Sequence, residues 1–223
     1  MDRVKTVFYY LKTRKRYIQT REEEVANSIT HGIGAGLSIA GFIILLLAAF
    51  SGGNFWKITS FIIFGASMVA LYFASTVYHM ARRRGVKYLL RICDHSTIFL
   101  LIAGTYTPFA LVTLRDKGGW TIFCIIWGLA VVGIIFKIFF VERMKIISPL
   151  LYLLMGWMIV LLVEPMSVSM PQNGIVLLLA GGLSYSVGLI FFAWHRIPFN
   201  HSIWHVFVMG GTACHFFGFL FYL

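Results

Sequence analysis

The stretch NHSIWHVFVMGGTACHFFGFLFYL, residues 200–223, decides the structural class of this protein. It contains no Lys, Arg, Asp or Glu, and it is long enough to cross a bilayer, which takes about 20 predominantly apolar residues in a helix. Even so, histidines stand at positions 201, 205 and 215. Because ionisable side chains are costly inside a membrane span, these histidines point to a function as well as a fold.

The composition of the whole chain supports the same class, with 59% hydrophobic and 12% charged residues, far from the usual balance of a soluble domain. Charged residues and Gly/Pro breaks divide the chain into seven apolar segments. The predicted spans are residues 29–50, 56–80, 90–114, 119–140, 147–164, 174–194 and 201–223. They are too long to be barrel strands, so we expect an all-α integral membrane protein, a seven-transmembrane helix bundle. Pro108 should kink or end the third helix.

The 19 Lys and Arg residues predict the orientation of the bundle, because basic loops are retained on the cytoplasmic side. Seven lie before the first span, five between spans two and three, three around the loop between spans four and five, and one between spans six and seven. The opposite side has only Lys57, Arg115 and Lys117. We therefore expect a cytoplasmic N-terminus, an external C-terminus and a multi-pass location in the plasma (inner) membrane.

The chain divides into a basic cytoplasmic arm, residues 1–28, and a seven-helix transmembrane domain, residues 29–223. The start of the arm is either a short interfacial amphipathic helix or a solvated basic tail. The net charge of +11 indicates contact between the basic loops and anionic lipid headgroups. It does not indicate nucleic-acid binding, since no long soluble domain is present.

The polar residues that could bind a metal or act in catalysis lie at the cytoplasmic ends of the predicted spans. His201 and His205 are four residues apart, which places both imidazoles on one helical face, and His79 ends span two at a matching depth. Three protein ligands and a water form the usual catalytic zinc site, and three imidazoles favour Zn²⁺ among divalent ions. His215 lies too far along the helix to join them.

Asp94 and Ser75 are the candidate catalytic residues beside this metal. The HxxxH pattern lacks the glutamate of a zinc-protease HExxH helix, so a base must come from elsewhere, and Asp94 near the start of span three is the best candidate. Ser75 precedes His79 by one helical turn. The alternatives are histidines that anchor in the interface and an Asp94 that pairs with Arg91 or Arg82.

Three further residues, Glu24, Asn27 and His31, share one helical face at the start of span one. They lie at the same end of the bundle as the predicted metal ligands. We interpret them as candidates for a supporting layer around those ligands.

Four motifs in the order EEEVANSITHGIGAG, STVYH, DHSTIFLLIAGTYTPF and HSIWHVFV resemble the bacterial haemolysin III proteins, which belong with the progestin and adipoQ receptors, including the adiponectin receptors. The resemblance runs from about residue 22 to the end. It implies a seven-helix bundle with a cytoplasmic N-terminus. It also implies zinc held by His79, His201 and His205, with Ser75 and Asp94 around the bound water.

The resemblance also implies an activity, because adiponectin receptors look like ceramidases and relatives are linked to membrane fluidity. We therefore expect a protein of membrane lipid homeostasis that hydrolyses a lipid amide or ester with zinc-activated water. Membrane lipids are the expected substrates or ligands. Two alternatives stay open: a pore-forming cytolysin of the haemolysin type, and a non-enzymatic sensor of membrane state whose zinc is structural.

Overall fold

The computed structural model describes residues 19–52, 54–141 and 147–223, and in this part of the chain seven helical spans are long and apolar enough to cross a membrane. The main helices are α1 (Arg21–Ser51), α2 (Phe55–Met80), α3 (Arg84–Pro108), α4 (Trp120–Phe140), α5 (Ile147–Trp157), α6 (Gln172–Ala193) and α7 (Asn200–Tyr222). The predicted seven-helix bundle is confirmed. The interfacial helix predicted near the N-terminus falls on residues 1–18, outside the described residues.

Helix α1 begins at Arg21, well before the apolar segment that was predicted from residue 29. A capping box explains the early start. The Thr20 hydroxyl accepts the Glu23 N–H at 3.2 Å, and the Glu23 carboxylate accepts the Thr20 N–H at 2.8 Å. The polar residues that follow are therefore helical, and Glu23, Asn27 and His31 are buried on the inner face of α1.

Regular α-helical geometry in α3 ends at Pro108, as predicted, and the chain continues through π-helical turns at Phe109–Thr113 and Arg115–Gly119. The fifth span is also irregular, since α5 passes into a 3-10 segment, Met158–Leu162. At this junction the Tyr106 hydroxyl lies 2.8 Å from the carbonyl oxygens of both Met155 and Gly156. Carbonyls released at a helix end in a membrane need such donors.

Helix α3 is the most buried of the spans. Inside the bundle, 72% of its most apolar 18-residue stretch is buried, against 50% or less for each of the other six spans. The main packing pairs are α1 with α2, α2 with α3, α3 with α4, and α6 with α7, and α7 returns to pack on α1. This last contact joins the first and last helices of the bundle and places the start of α1 beside the start of α7.

We predict that Thr20→Ala destabilises the protein by about 1 kcal/mol, because the substitution removes the hydroxyl that caps α1. Thermal unfolding of the detergent-purified protein measures the effect as a lowered melting temperature. Thr20→Ser retains the cap and should leave the melting temperature close to that of the parent. Equal melting temperatures for Thr20→Ala and the parent would show that the cap does not stabilise α1.

Candidate metal centre

Helices α2 and α7 bring His79, His201 and His205 together. One ring nitrogen from each lies within 4.8 Å of the others, and the ring centroids are 4.6 to 5.2 Å apart. His79 and His205 are buried and His201 is partly exposed. The structure therefore brings together three histidines that could hold a metal ion, and their role as zinc ligands stays a prediction.

Hydrogen bonds on the far side of two of these rings determine which nitrogen faces the cluster. His79 Nδ1 lies 2.8 Å from Glu24 Oε2, so Nδ1–H donates to the carboxylate and Nε2 keeps its lone pair. That Nε2 is buried and has no hydrogen-bond partner among the described residues. A buried ring nitrogen without a hydrogen-bond partner, beside two other imidazoles, has the environment of a metal ligand. The residues therefore fit a divalent metal.

His205 is oriented in the same way by a residue that the sequence analysis missed. Its Nδ1 lies 3.1 Å from Thr30 Oγ1, while the Thr30 hydroxyl donates to the carbonyls of Ala26 and Asn27. The Thr30 oxygen therefore accepts from His205 Nδ1–H, which leaves Nε2 as the basic nitrogen. No motif marks Thr30 in the sequence, because its role depends on the contact between α1 and α7.

The three candidate residues of α1 all lie at this cluster but differ in what they touch. Glu24 bridges His79 and Lys87, whose Nζ is 2.7 Å from Glu24 Oε1. His31 stacks on His205 with ring centroids 3.4 Å apart and planes 12° apart. Asn27 accepts the Ser202 hydroxyl at 2.5 Å. Asn27 thus joins α1 to the first turn of α7.

Glu23 is a second residue that sequence analysis missed. Its Oε1 accepts the N–H of Phe199 at 3.2 Å, and Phe199 has a left-handed backbone with φ +56°. This strained residue immediately precedes α7, where the Asn200 side chain also donates to the carbonyls of Phe191 and Phe192. The capping-box pattern TREE was the signal in the sequence, but it does not reveal the bond to Phe199.

Asp94 and Ser75 are buried together at the same end of the bundle. Asp94 is 7% exposed and Ser75 is 1% exposed, and the Asp94 carboxylate lies close to Ser75 and within electrostatic range of His79. Both residues line the cavity that the histidines face. The structure therefore collects the five residues of the predicted centre in one place. Their catalytic roles stay predictions.

The cavity beside this cluster has a volume of about 760 Å³, within the range of ligand-binding cavities. One part of its wall is polar, with His31, His201, His205, Glu24, Ser75 and Asp94. The rest is mainly apolar and includes Ile98, Leu101, Phe109, Ile159, Leu178 and Val208. Such a cavity suits an amphiphile, with a polar group at the histidines and an acyl chain along the apolar wall.

His215 lies away from the three clustered histidines, as its spacing predicted. It is not a member of the three-histidine group, and its Nε2 faces the Leu178 carbonyl at 3.2 Å. His215 also packs against Tyr185, with ring centroids 5.5 Å apart. It therefore serves as a buried histidine for comparison with the three candidate ligands.

Similarity to known proteins extends over most of the chain. The profile of the family described as Haemolysin-III related matches residues 19–216. The chain is 52% identical to hemolysin-3 of Bacillus cereus, covering 93% of this chain and 95% of the relative. It is 50% identical to the hemolysin-3 homolog of Bacillus subtilis (strain 168), covering 91% and 95%. It is 33% identical to the monocyte to macrophage differentiation factor of Homo sapiens, covering 93% and 87%. No solved structure gives a significant match.

We predict that Glu24→Gln weakens zinc binding about tenfold or more, because the substitution removes the carboxylate that orients the His79 ring. Competition with a chromophoric chelator, on detergent-purified protein, measures the affinity. The matched control is Glu22→Gln, an exposed glutamate of the same helical turn. Equal zinc affinities for the two variants would mean that the Glu24 carboxylate does not support the site.

Proposed function

The chain belongs to the Haemolysin-III related family, and from this premise we propose that it is a zinc-dependent hydrolase of membrane lipids that acts in membrane lipid homeostasis. The observation that carries the proposal is the cluster of His79, His201 and His205, which opens on a cavity with an apolar wall. A metal centre beside an acyl-sized cavity fits a reaction on a lipid better than a reaction on a soluble metabolite.

The three imidazoles would hold the metal, since neutral histidine nitrogens are good zinc ligands and three of them leave a coordination position open. Zinc bound there would supply Lewis-acid chemistry, activating water and polarising a carbonyl group. Glu24 and Thr30 lie within hydrogen-bond distance of the Nδ1 atoms of His79 and His205, and accepting from these atoms would leave both Nε2 atoms for the metal. The chain thus contributes both the ligands and the groups that orient them.

In this proposal Asp94 would act as the general base, and its burial in the cavity supports that role. It would take a proton from the attacking water as the oxygen adds to the carbonyl carbon, and would return the proton to the leaving nitrogen or oxygen as the bond breaks. Ser75 would donate a hydrogen bond to the carbonyl oxygen as negative charge develops on it. Their burial at one end of the cavity excludes bulk water, which strengthens both interactions.

The proposed substrate is a lipid amide or ester of the ceramide type, which enters from the surrounding bilayer. The apolar wall of the cavity would hold the acyl chain, and the scissile carbonyl would lie at the histidines. The basic loops would bind anionic headgroups at the cytoplasmic surface of the plasma membrane.

A second function, membrane lysis, has one observation in its favour, since the relative from Bacillus cereus has the name hemolysin-3. A pore needs a hydrated path through the full depth of the bilayer. The titratable groups of the cavity instead lie mostly at one end, while its deeper wall is lined mainly by residues such as Leu101, Phe109 and Leu178. The hydrolase is therefore the better fit.

We predict zinc-dependent release of fatty acid from a short-chain fluorescent ceramide or ester by the purified protein in lipid nanodiscs. His205→Ala should abolish release, and Asp94→Asn should lower the rate by about 10²-fold or more, because it removes the proton acceptor. His215→Ala is the matched histidine control for metal content and should retain zinc, because His215 is not one of the three clustered histidines. Zinc-loaded protein that hydrolyses no lipid amide or ester, but releases dye from liposomes, would favour lysis instead.

The orientation can be tested separately. We predict that a reporter enzyme of the kind that works only outside the cytoplasm is active when it is fused after Leu223. We also predict that a cysteine introduced before Arg21 is protected from impermeant thiol reagents in intact cells. The reason is the concentration of basic residues in the arm and in the loop between α2 and α3. The opposite labelling pattern would reverse the proposed topology.

A further inference from the structure

The cavity has a second polar patch, which lies deeper in the bundle than the three clustered histidines. His215 of α7 and Tyr185 of α6 both line the cavity there. His215 follows His205 by ten residues in one helix, which is about 15 Å along the helix axis. The patch is therefore too far away to share a metal with the three histidines, and it adjoins the mainly apolar part of the wall.

One edge of the His215 ring is fixed against α6. Its Nε2 lies 3.2 Å from the Leu178 carbonyl oxygen, so Nε2–H donates to that carbonyl. Across the ring from the edge formed by Nε2 and Cδ2, Nδ1 is buried and has no hydrogen-bond partner among the described residues. The side chain belongs to a residue that is only 7% exposed. Since the proton is on Nε2, Nδ1 is an unsatisfied acceptor inside the bundle.

Tyr185 contributes a second acceptor to the patch. The Thr212 hydroxyl donates to the Val208 carbonyl at 2.9 Å. Because a hydroxyl has only one proton, Thr212 Oγ1 accepts from the hydroxyls of Tyr72 and Tyr185, at 2.8 and 3.0 Å. The Tyr185 oxygen has thus used its proton and keeps its lone pairs. The rings of Tyr185 and His215 have centroids 5.5 Å apart, so both acceptors belong to one patch.

Close packing of α6 on α7 positions both rings. A Cβ atom at Gly181 would lie 2.5 Å from His215 Nε2, and a Cβ atom at Gly211 would lie 2.6 Å from Tyr185 Cε1. Each helix therefore leaves room for the ring of the other helix by having a glycine opposite it. The two acceptors are ordered before any ligand arrives, which lowers the entropy cost of binding.

The patch requires a hydrogen-bond donor from its ligand. A purely apolar chain would leave His215 Nδ1 unsatisfied in a region of low dielectric constant, which is costly. The oxygen of a carbonyl group or an ester has no proton to donate. An amide N–H lies at the polar end of a lipid, which the proposed function places at the clustered histidines. A hydroxyl group farther along the chain is the donor that fits this position.

We propose that His215 and Tyr185 form a subsite for a hydroxyl group on the chain of a lipid. This inference rests on the proposed function in taking a lipid as the occupant, and it narrows the substrate class to lipids with a hydroxylated chain. The hydroxyl group donates to His215 Nδ1, and the Tyr185 oxygen is the second acceptor beside it. The subsite determines specificity and the position of the chain, and it takes no part in proton transfer.

Two isomeric fatty acids test the subsite. In 12-hydroxystearic acid the hydroxyl group lies in mid-chain, at a distance from the carboxyl group comparable with the separation of His215 from His205, whereas in 18-hydroxystearic acid it lies at the chain end. Binding to the full-length protein in lipid nanodiscs is measured by competition with a fluorescent fatty acid, at equal mole fractions of the two isomers. We expect the mid-chain isomer to bind about three- to tenfold more tightly, the usual range for one hydrogen bond.

Substitutions then locate the source of this preference. His215→Phe keeps an aromatic ring but removes the acceptor, so it should bind the two isomers equally. The matched control is Tyr152→Phe, which removes the hydroxyl of another cavity tyrosine, one that donates to the His95 carbonyl at 2.8 Å. This variant should keep the preference. A preference kept in His215→Phe or lost in Tyr152→Phe would overturn the subsite.

Equal affinities of the two isomers for the parent protein would also overturn the subsite, and would leave a water molecule as the partner of Nδ1. Melting curves show whether each variant folds. Should His215→Phe fail to fold, Tyr185→Phe replaces it, since it keeps the ring and removes only the oxygen. An unchanged preference in folded Tyr185→Phe protein would count against the subsite in the same way.

The hydrolysis assay, run on the same preparation, separates this inference from the proposed function. A preference for the mid-chain isomer in zinc-loaded protein that hydrolyses no lipid would support the subsite and overturn only the hydrolase. Hydrolysis without any preference between the isomers would overturn only the subsite.

Discussion

The burial of the His79 and His205 imidazoles, beside a partly exposed His201, is the constraint on which the rest of this structure depends. A polar nitrogen in the membrane interior must have a partner, and the first turns of α1 supply partners for two of the rings. Glu24 accepts from His79, and Thr30 accepts from His205. The same turns reach α7 through Asn27 and Ser202. The α1–α7 contact is therefore both the closure of the bundle and the support of the metal centre.

This arrangement explains why helix α1 begins so early. Its first two turns are polar and would be poor membrane-spanning residues if they faced lipid. Arg21 and Glu22 are exposed, and Glu23, Glu24 and Asn27 are tolerated because they form hydrogen bonds with Phe199, His79 and Ser202 respectively. The Glu23 carboxylate has two roles in this contact, since it caps α1 and also accepts the N–H of the strained Phe199 ahead of α7. Stability and site geometry thus depend on the same few hydrogen bonds.

The cavity combines two kinds of wall for a related reason. Residues that face lipid are apolar, such as Leu37 and Leu47 of α1, so polar chemistry can lie only toward the interior. There His201, His205 and Asp94 line one part of the cavity, and the deeper wall stays mainly apolar. The result is a cavity that is polar at one end and mainly apolar along the rest of its wall.

The number of spans, their approximate limits and the change of geometry at Pro108 could all be predicted from the sequence, because apolar length and proline act locally. The spacing of His201 and His205 likewise placed two imidazoles on one face, and matching depth added His79. The sequence could not reveal Thr30 and Glu23 as supports of the site or His215 as a cavity residue. Their roles arise from contacts between helices, and spacing alone shows only that His215 is too far from His205 to share a metal. Local physics therefore determined the spans and the candidate ligands, and only the packing of α1 on α7 and of α6 on α7 decided which polar atoms meet.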